Sequence, residues 1–234
     1  MTPKNPSPST TWRTLNLLED WLTSGFSHEH PELLIEEPPA AAAAAAPAPT
    51  DRAAEIATVA AEVAACVKCS LSVNRTMTVP GEGLLDPVVL FVGEGPGAEE
   101  DRTGRPFVGA AGRYLDTWIP PIGLKREQCF IANCVKCRPP QNREPHPDEI
   151  GACLPYLERQ ILALKPRVIC CLGRIAAQTL LGTTASLGEL RGRVHQRGGI
   201  PVVVTYHPSA VLRDKEGLRK PVWDDLKMLK GLLG

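Results

Sequence analysis

No basic n-region leads into an apolar core at the start of this 234-residue chain, which opens MTPKNPSPSTTWRT, so no secretory signal is expected. Nowhere does a run approach the roughly 18 uncharged apolar residues that a membrane span needs. A cytoplasmic setting is expected, where clustered thiols bind metal or do redox work more often than they form disulfides. Net charge is lacking too: 26 Lys and Arg face 26 Asp and Glu. The balance is uneven along the chain. Residues 1–50 carry two basic side chains, Lys4 and Arg13, against six acidic ones, Glu19, Asp20, Glu29, Glu32, Glu36 and Glu37. Residues 51–234 therefore hold 24 basic and 20 acidic side chains, a surplus of +4. That permits a nucleic-acid face without demonstrating one.

What is present is thiol. Of eight cysteines, Cys66 and Cys69 form one C-x-x-C step and Cys134 and Cys137 a second, with Cys153 sixteen residues beyond. Two ligand sets compete. Cys66, Cys69, Cys134 and Cys137 would make a tetrahedral zinc site. Cys66, Cys69, Cys137 and Cys153 would instead hold an iron–sulfur cluster assembled from distant segments.

The chain divides into three parts. Residues 1–37 form an N-terminal extension in which Trp12, Leu15, Leu17, Leu18, Trp21 and Leu22 fall at roughly helical spacing, as in a short amphipathic helix that docks a partner or folds back. Residues 38–50 are a Pro/Ala-rich linker, PPAAAAAAAPAP followed by Thr50. From residue 51 the pattern is α/β. Residues 51–65 read as a helix that delivers Cys66. Four apolar, β-branched-rich runs follow, at 88–92, 128–133, 167–172 and 201–206, and continuous apolar runs fit buried parallel strands. Helical stretches at 110–118, 147–164, 174–181 and 222–233 alternate with them. The expected fold is a three-layer α/β/α sandwich around a central four-stranded parallel sheet. Ligands in such sheets bind beyond the carboxyl ends of the strands.

Three polar residues stand at those ends. Gly93, Gly95 and Ala98 satisfy G-x-G-x-x-A formally, but Pro96 removes a backbone N–H from any phosphate cradle, and Glu99, Glu100 and Asp101 would crowd a negative ligand. A tight turn that lets a neutral ligand approach the backbone, with Glu94 projecting into the pocket, fits better. Asn133 ends the second strand and offers both a donor and an acceptor, as needed to read a base edge; alone it is an ordinary turn former. His207 follows the fourth strand and is placed to donate to a developing oxyanion. Phe107, in the polar loop after Asp101, reads by itself as a core plug. Together Glu94, Asn133 and His207 describe a pocket for a small, planar, polar ligand.

Several strings carry a resemblance: Cys66-Val-Lys-Cys69, GEGPGAEEDRTGRPFVGAAGRYLD at 93–116, NCVKCRPPQNREPHPDE at 133–149, the segment from Cys153 to Glu158, LGRIAAQTLLG at 172–182 and TYHPSAVLR at 205–213. Residues 66–213 resemble the family 4 uracil-DNA glycosylases, the iron–sulfur branch of that superfamily; residues 1–50 do not take part. The resemblance implies a [4Fe–4S] cluster on Cys66, Cys69, Cys137 and Cys153, leaving Cys129, Cys134, Cys170 and Cys171 as structural thiols. It implies that Gly93 and Gly95 shape the pocket backbone and that Glu94 orients the attacking water or offsets charge on the sugar. Phe107 then stacks on the flipped uracil, Asn133 reads its N3 and O4 edge, and His207 lies near O2. A related branch that cross-links to uracil carries an inserted K-R-R-I-H loop; here the region reads RPPQNREPHPDE, so hydrolytic turnover is expected. Glu94 also stands where the best-known of these enzymes have Asp.

The implied reaction rotates the nucleotide out of the helix and hydrolyses its N-glycosidic bond, leaving an abasic site. Val211 or Leu212 is the expected apolar wedge, Arg213 holds a flanking phosphate, and Arg138 and Arg143 contact the backbone without reading sequence. The expected partner is uracil-containing DNA, met by a monomer in the prokaryotic cytoplasm and nucleoid, with a further protein partner open to the N-terminal extension. Two rival readings are an iron–sulfur electron carrier and a zinc-stapled binding module.

Overall fold

The computed structural model describes residues 52–234. The amphipathic helix and Pro/Ala-rich linker expected within residues 1–50 lie outside the described residues, as does the boundary between them and the main domain. The chain runs α1 (Arg52–Ala65), α2 (Leu71–Asn74), β1 (Glu82–Gly83), β2 (Val89–Gly93), α3 (Ala98–Thr103), α4 (Ala110–Asp116), β3 (Cys129–Asn133) and α5 (Pro147–Leu164). It continues through β4 (Val168–Leu172), α6 (Arg174–Leu181), α7 (Leu187–Leu190), β5 (Val194–Arg197), β6 (Ile200–Thr205), α8 (Pro208–Arg213) and α9 (Lys215–Gly231).

The sheet has six strands in the order β1-β3-β2-β4-β6-β5, where four were expected. The four expected strands are its parallel centre. Both additional strands are antiparallel edges. Neither leaves an apolar run to read: β1 is two residues long, and the VHQR of β5 alternates between exposed and half-buried. A signal for β5 did exist. Gly198-Gly199 joins it to β6 with φ of 55° and 80°, the positive values of a two-residue hairpin turn.

Successive residues of each central strand face opposite layers. On one side Phe91, Ile131, Cys170 and Val203 meet Leu115, Val211, Leu226 and Leu229 from α4, α8 and α9. On the other, Leu90, Val92, Ile169 and Val204 meet Leu157, Ile161, Ala177 and Leu180 from α5 and α6. A smaller third cluster joins Val59 and Val63 of α1 to Cys137, Cys153 and Tyr156. The last helix begins at Lys215 rather than near Val222, because the Asp214 carboxylate caps it by accepting from the Gly217 amide at 2.9 Å, and the helix then runs through Pro221. Among the described residues no helix is long and apolar enough to cross a membrane. Because β2, β3, β4 and β6 are parallel, their carboxyl ends open on one edge, and the cleft lies there.

Candidate active site

Glu94, Phe107, Asn133 and His207 line one cleft of about 490 Å³ at that edge. The register pairs Gly93 of β2 with Asn133 of β3. A Cβ at position 93 would lie 2.4 Å from Asn133 Oδ1 and 2.6 Å from Phe107 Cζ. Only glycine lets the amide and the ring approach the strand end together. Asn133 is 1% exposed, and its Oδ1 is a buried acceptor with no hydrogen-bond partner among the described residues. Such an atom is costly unless something donates to it.

Phe107 is 6% exposed, with its ring centroid 5.6 Å from that of His207 and the planes 37° apart. Its φ of 52° is left-handed, an uncommon conformation for a residue with a side chain. Glu100 holds the loop in place. One carboxylate oxygen accepts from the Val108 and Gly109 amides at 2.9 and 2.8 Å, and the other from Gly97 at 3.1 Å. Asp101 accepts from the Thr76 amide at 2.9 Å. The acidic run that reads as unwelcome charge beside a ligand is therefore largely turned inward; Glu99 alone stays exposed, paired with Arg102 at 2.9 Å. Sequence reasoning missed the role of Glu100, and no local signal carries it, since two of its three partners lie eight and nine residues on.

The His207 Nδ1 receives the Ser209 backbone N–H at 3.2 Å and lies 2.7 Å from the Ser209 hydroxyl. With Nδ1 accepting, the ring proton sits on Nε2. Burial pulls this imidazole down to about 4, and the Arg213 charge adds to the shift, so the ring is neutral at physiological pH. Burial pushes the Glu94 carboxyl above its ordinary value, Glu144 adds to the rise, and Arg174 opposes it. Arg174 is itself engaged by Glu144 at 2.5 Å. Gly95 packs beneath the Glu94 turn, where a Cβ would sit 2.8 Å from Val135 Cγ2.

The residues expected to face DNA divide. Arg213 lies on the cleft rim, exposed and without an ion pair among the described residues, and Leu212 beside it is half-buried. Val211 is fully buried in the core, so the expectation that it serves as a wedge is corrected: inserting it elsewhere would tear it from Leu115 and Leu226. Arg138 donates to Asn142 Oδ1 at 2.8 Å. Arg143 grips both oxygens of the fully buried Glu149 at 2.8 and 2.7 Å. Its guanidinium neutralises that carboxylate, which is held down to about 2 chiefly by this contact, and is not a free phosphate donor.

Cys66, Cys69, Cys137 and Cys153 line a single small cavity between α1, α5 and the loop after β3. Arg75 approaches Cys137 Sγ at 3.3 Å, the Lys136 amide reaches Cys153 Sγ at 3.2 Å, and the Tyr156 side chain hydrogen-bonds with Cys66. Cys134 does not belong to the group. It is fully buried in the sheet core with Leu157 and Ala176, and burial pushes its thiol up to about 12. The zinc set that includes Cys134 is therefore not assembled. Among the described residues no group of three His, Cys, Asp or Glu gathers as if on one ion. The four lining thiols are the donor set through which a metal group would be held there.

Residues 80–227 match the model of the uracil DNA glycosylase superfamily. The chain is similar to the type-4 uracil-DNA glycosylase of Pyrobaculum aerophilum, at 49% identity over 71% of this chain and 88% of the relative. It is similar to the type-4 enzyme of Thermotoga maritima at 44% identity, covering 75% and 93% of the two chains. The type-4 enzyme of Archaeoglobus fulgidus is 42% identical, over 74% and 90%.

Proposed function

The chain belongs to the uracil DNA glycosylase superfamily and, within it, to the type-4 enzymes; it excises uracil from DNA, and we propose that it does so in the cleft formed by Glu94, Phe107, Asn133 and His207. The observation that carries this placement is the buried, partnerless Asn133 Oδ1, flanked by an aromatic ring and a neutral imidazole. A flipped uracil supplies what that trio lacks. Its N3–H donates to Oδ1, and the Asn133 amide NH₂ faces O4. Its ring lies on Phe107, and its O2 meets the His207 Nε2–H.

Breaking the N-glycosidic bond builds positive charge on the sugar and negative charge on the departing base. Donors aimed at O2 and O4 stabilise the leaving anion without reorganising, and one such donor is typically worth about 3 kcal/mol. A neutral imidazole serves here because Nε2–H is already in place and no proton need be taken up. Glu94, as a carboxylate, orients water toward the sugar and offsets its charge. Its partial burial strengthens that interaction, at the cost of a raised pKa. Hydrolysis leaves free uracil and an abasic site.

Cys66, Cys69, Cys137 and Cys153 hold a [4Fe–4S] cluster in this reading, supported by their shared cavity and by the exclusion of Cys134 from it. Once bound, the cluster ties α1 and α5 to the loop after β3 and is a structural staple. Leu212 is the wedge, and Arg213 holds a flanking phosphate at the rim. The enzyme acts as a monomer in the cytoplasm and reaches the nucleoid through DNA. Residues 1–37 are an extension, open to a protein partner and joined by the 38–50 linker to a domain that begins at 51.

Incubation with single- and double-stranded oligonucleotides bearing one uracil, followed by alkaline cleavage, tests this. A strand break at the uracil is expected, with the rate falling about 10²- to 10³-fold in Asn133→Ala. Near wild-type excision by that variant removes Asn133 from the site.

A further inference from the structure

A second concavity, of about 800 Å³, lies on the far side of the helix pair that walls the cleft. Helix α4 gives Ala110 and Ala111 to the cleft and Tyr114 to this groove; α8 gives Ser209, Ala210 and Arg213 to the cleft and Val211 to the groove. The two spaces are therefore neighbours across one wall. From Ala111 to Tyr114 is about 5 Å along a helix axis, and Arg213 is two residues from Lys215, at most about 7 Å of chain. At about 3.4 Å per stacked nucleotide, a strand leaving the cleft past Arg213 enters the groove within roughly two steps.

The groove combines aromatic rings with unspent positive charge. Trp223 is 44% exposed, the one exposed Phe, Tyr or Trp among the described residues, with the Lys227 ammonium 5.9 Å from its ring centroid. Tyr114 and Trp118 meet edge to face beside it, with centroids 5.6 Å apart. Around them stand Lys215, Arg219 and Lys220. Among the described residues Lys215 and Arg219 make no ion pair, and Lys220 approaches Asp224 only at 3.9 Å, while Asp224 sits closer to Lys227, at 3.2 Å. By contrast Arg102, Arg105, Arg126, Arg159, Arg191 and Arg197 are each bound to a carboxylate within 3.0 Å. Cations such as Lys215 and Arg219, interleaved with a half-exposed ring, are the make-up of a single-strand track, where bases stack and phosphates are neutralised without sequence readout.

We propose that this groove is a second nucleic-acid subsite, which holds the unpaired strand on one side of the flipped uracil. It rests on the uracil-excision reading and deepens it, making a single strand the substrate that fills the enzyme. Trp223 supplies the stacking face, and Lys215, Arg219 and Lys220 hold phosphates. A duplex buries its base faces and leaves Trp223 nothing to stack on.

The test uses the full-length holoprotein and fluorescence anisotropy with a long uracil-free single strand, a duplex of the same sequence, and a short uracil-bearing strand that ends within the cleft. Two variants are compared, Trp223→Ala and Arg219→Ala/Lys220→Ala. For the long single strand, Trp223→Ala should bind about tenfold more weakly. The double variant should lower the slope of log affinity against log salt by about 1.4. Excision from the short strand should stay at the wild-type rate in both. Unchanged affinity and salt slope for the long strand overturn the subsite, and an equal loss on the duplex overturns its assignment to unpaired DNA. If wild-type protein excises uracil from no substrate, the excision reading falls separately, since the anisotropy measurement contains no uracil.

Discussion

The Lys136 ammonium lies 3.0 Å from the main-chain carbonyl of Asn133 and donates to it, though Lys136 is only 1% exposed. Its other partner is Gln160 Oε1 at 2.7 Å, and Gln160 in turn donates to the Pro80 carbonyl at 2.8 Å. Its own amide meets Cys153 Sγ. One residue thus spans the strand end that presents Asn133 and the cavity lined by thiols. Burial pulls the amine down to about 8, which records the desolvation cost of this placement.

Lys136→Met should strand two buried acceptors, destabilise the protein by about 2 kcal/mol or more in urea unfolding, and slow excision as Asn133 loses its support. A stability within about 0.5 kcal/mol of wild type, with full activity, would show that the bridge is dispensable.

In the proposed reaction Glu94 acts as a carboxylate, so excision should fall as pH drops through its raised pKa. Glu144→Gln removes a like charge and frees Arg174 to oppose the shift, so the acid limb of the pH–rate profile should move to lower pH. Arg174→Met should move it the other way. Single-turnover rates across the acid range check both, and a limb that ignores both changes belongs to another group.

His207 titrates near 4 when folded, against an ordinary value near 6.5. Between those values the unfolded chain binds the extra proton, so the stability this site contributes is complete above about 6.5 and is lost as pH falls toward 4. His207→Asn should flatten that part of the stability–pH curve. It should also cost about 10²-fold or more in excision rate, since the proposed hydrogen bond to O2 disappears.

Gly93→Ala should abolish excision almost completely while costing about 1–3 kcal/mol of stability, because the new methyl collides with both Asn133 and Phe107. Retained activity would mean that the ring and the amide do not have to occupy that strand end together.

Iron and acid-labile sulfide distinguish the thiols. Cys153→Ala should lose both, and Cys134→Ala should keep both at the cost of a small core cavity. Iron lost equally from the two variants would return Cys134 to the ligand set.

The parallel centre of the sheet was readable because β2, β3 and β4 are buried at every residue and have to be apolar throughout. The strand ends followed, and with them the positions of Glu94, Asn133 and His207. What was not readable depends on contacts between distant segments. Whether Arg143 is free or bound to Glu149 depends on how the loop after β3 meets the start of α5. Val211 and Leu212 are equivalent as apolar residues in a string, and only the packing of α8 on the sheet decides which one is buried. Glu100 reads in the sequence only as a charge beside the ligand, because two of its three amide partners arrive from another loop.

The thiol-lined cavity lies outside both cores that flank the sheet, in the seam between α1 and α5. The pocket and the thiols rest on different parts of the fold. The pocket hangs from strand ends whose positions depend on sheet packing, whereas three of the four thiols belong to α1's exit and to α5. A lineage could lose the cage, substitution by substitution, while the selected arrangement of Asn133 and His207 persisted. Drift at the cysteines and drift at the pocket should therefore be uncorrelated except through Lys136, which belongs to both.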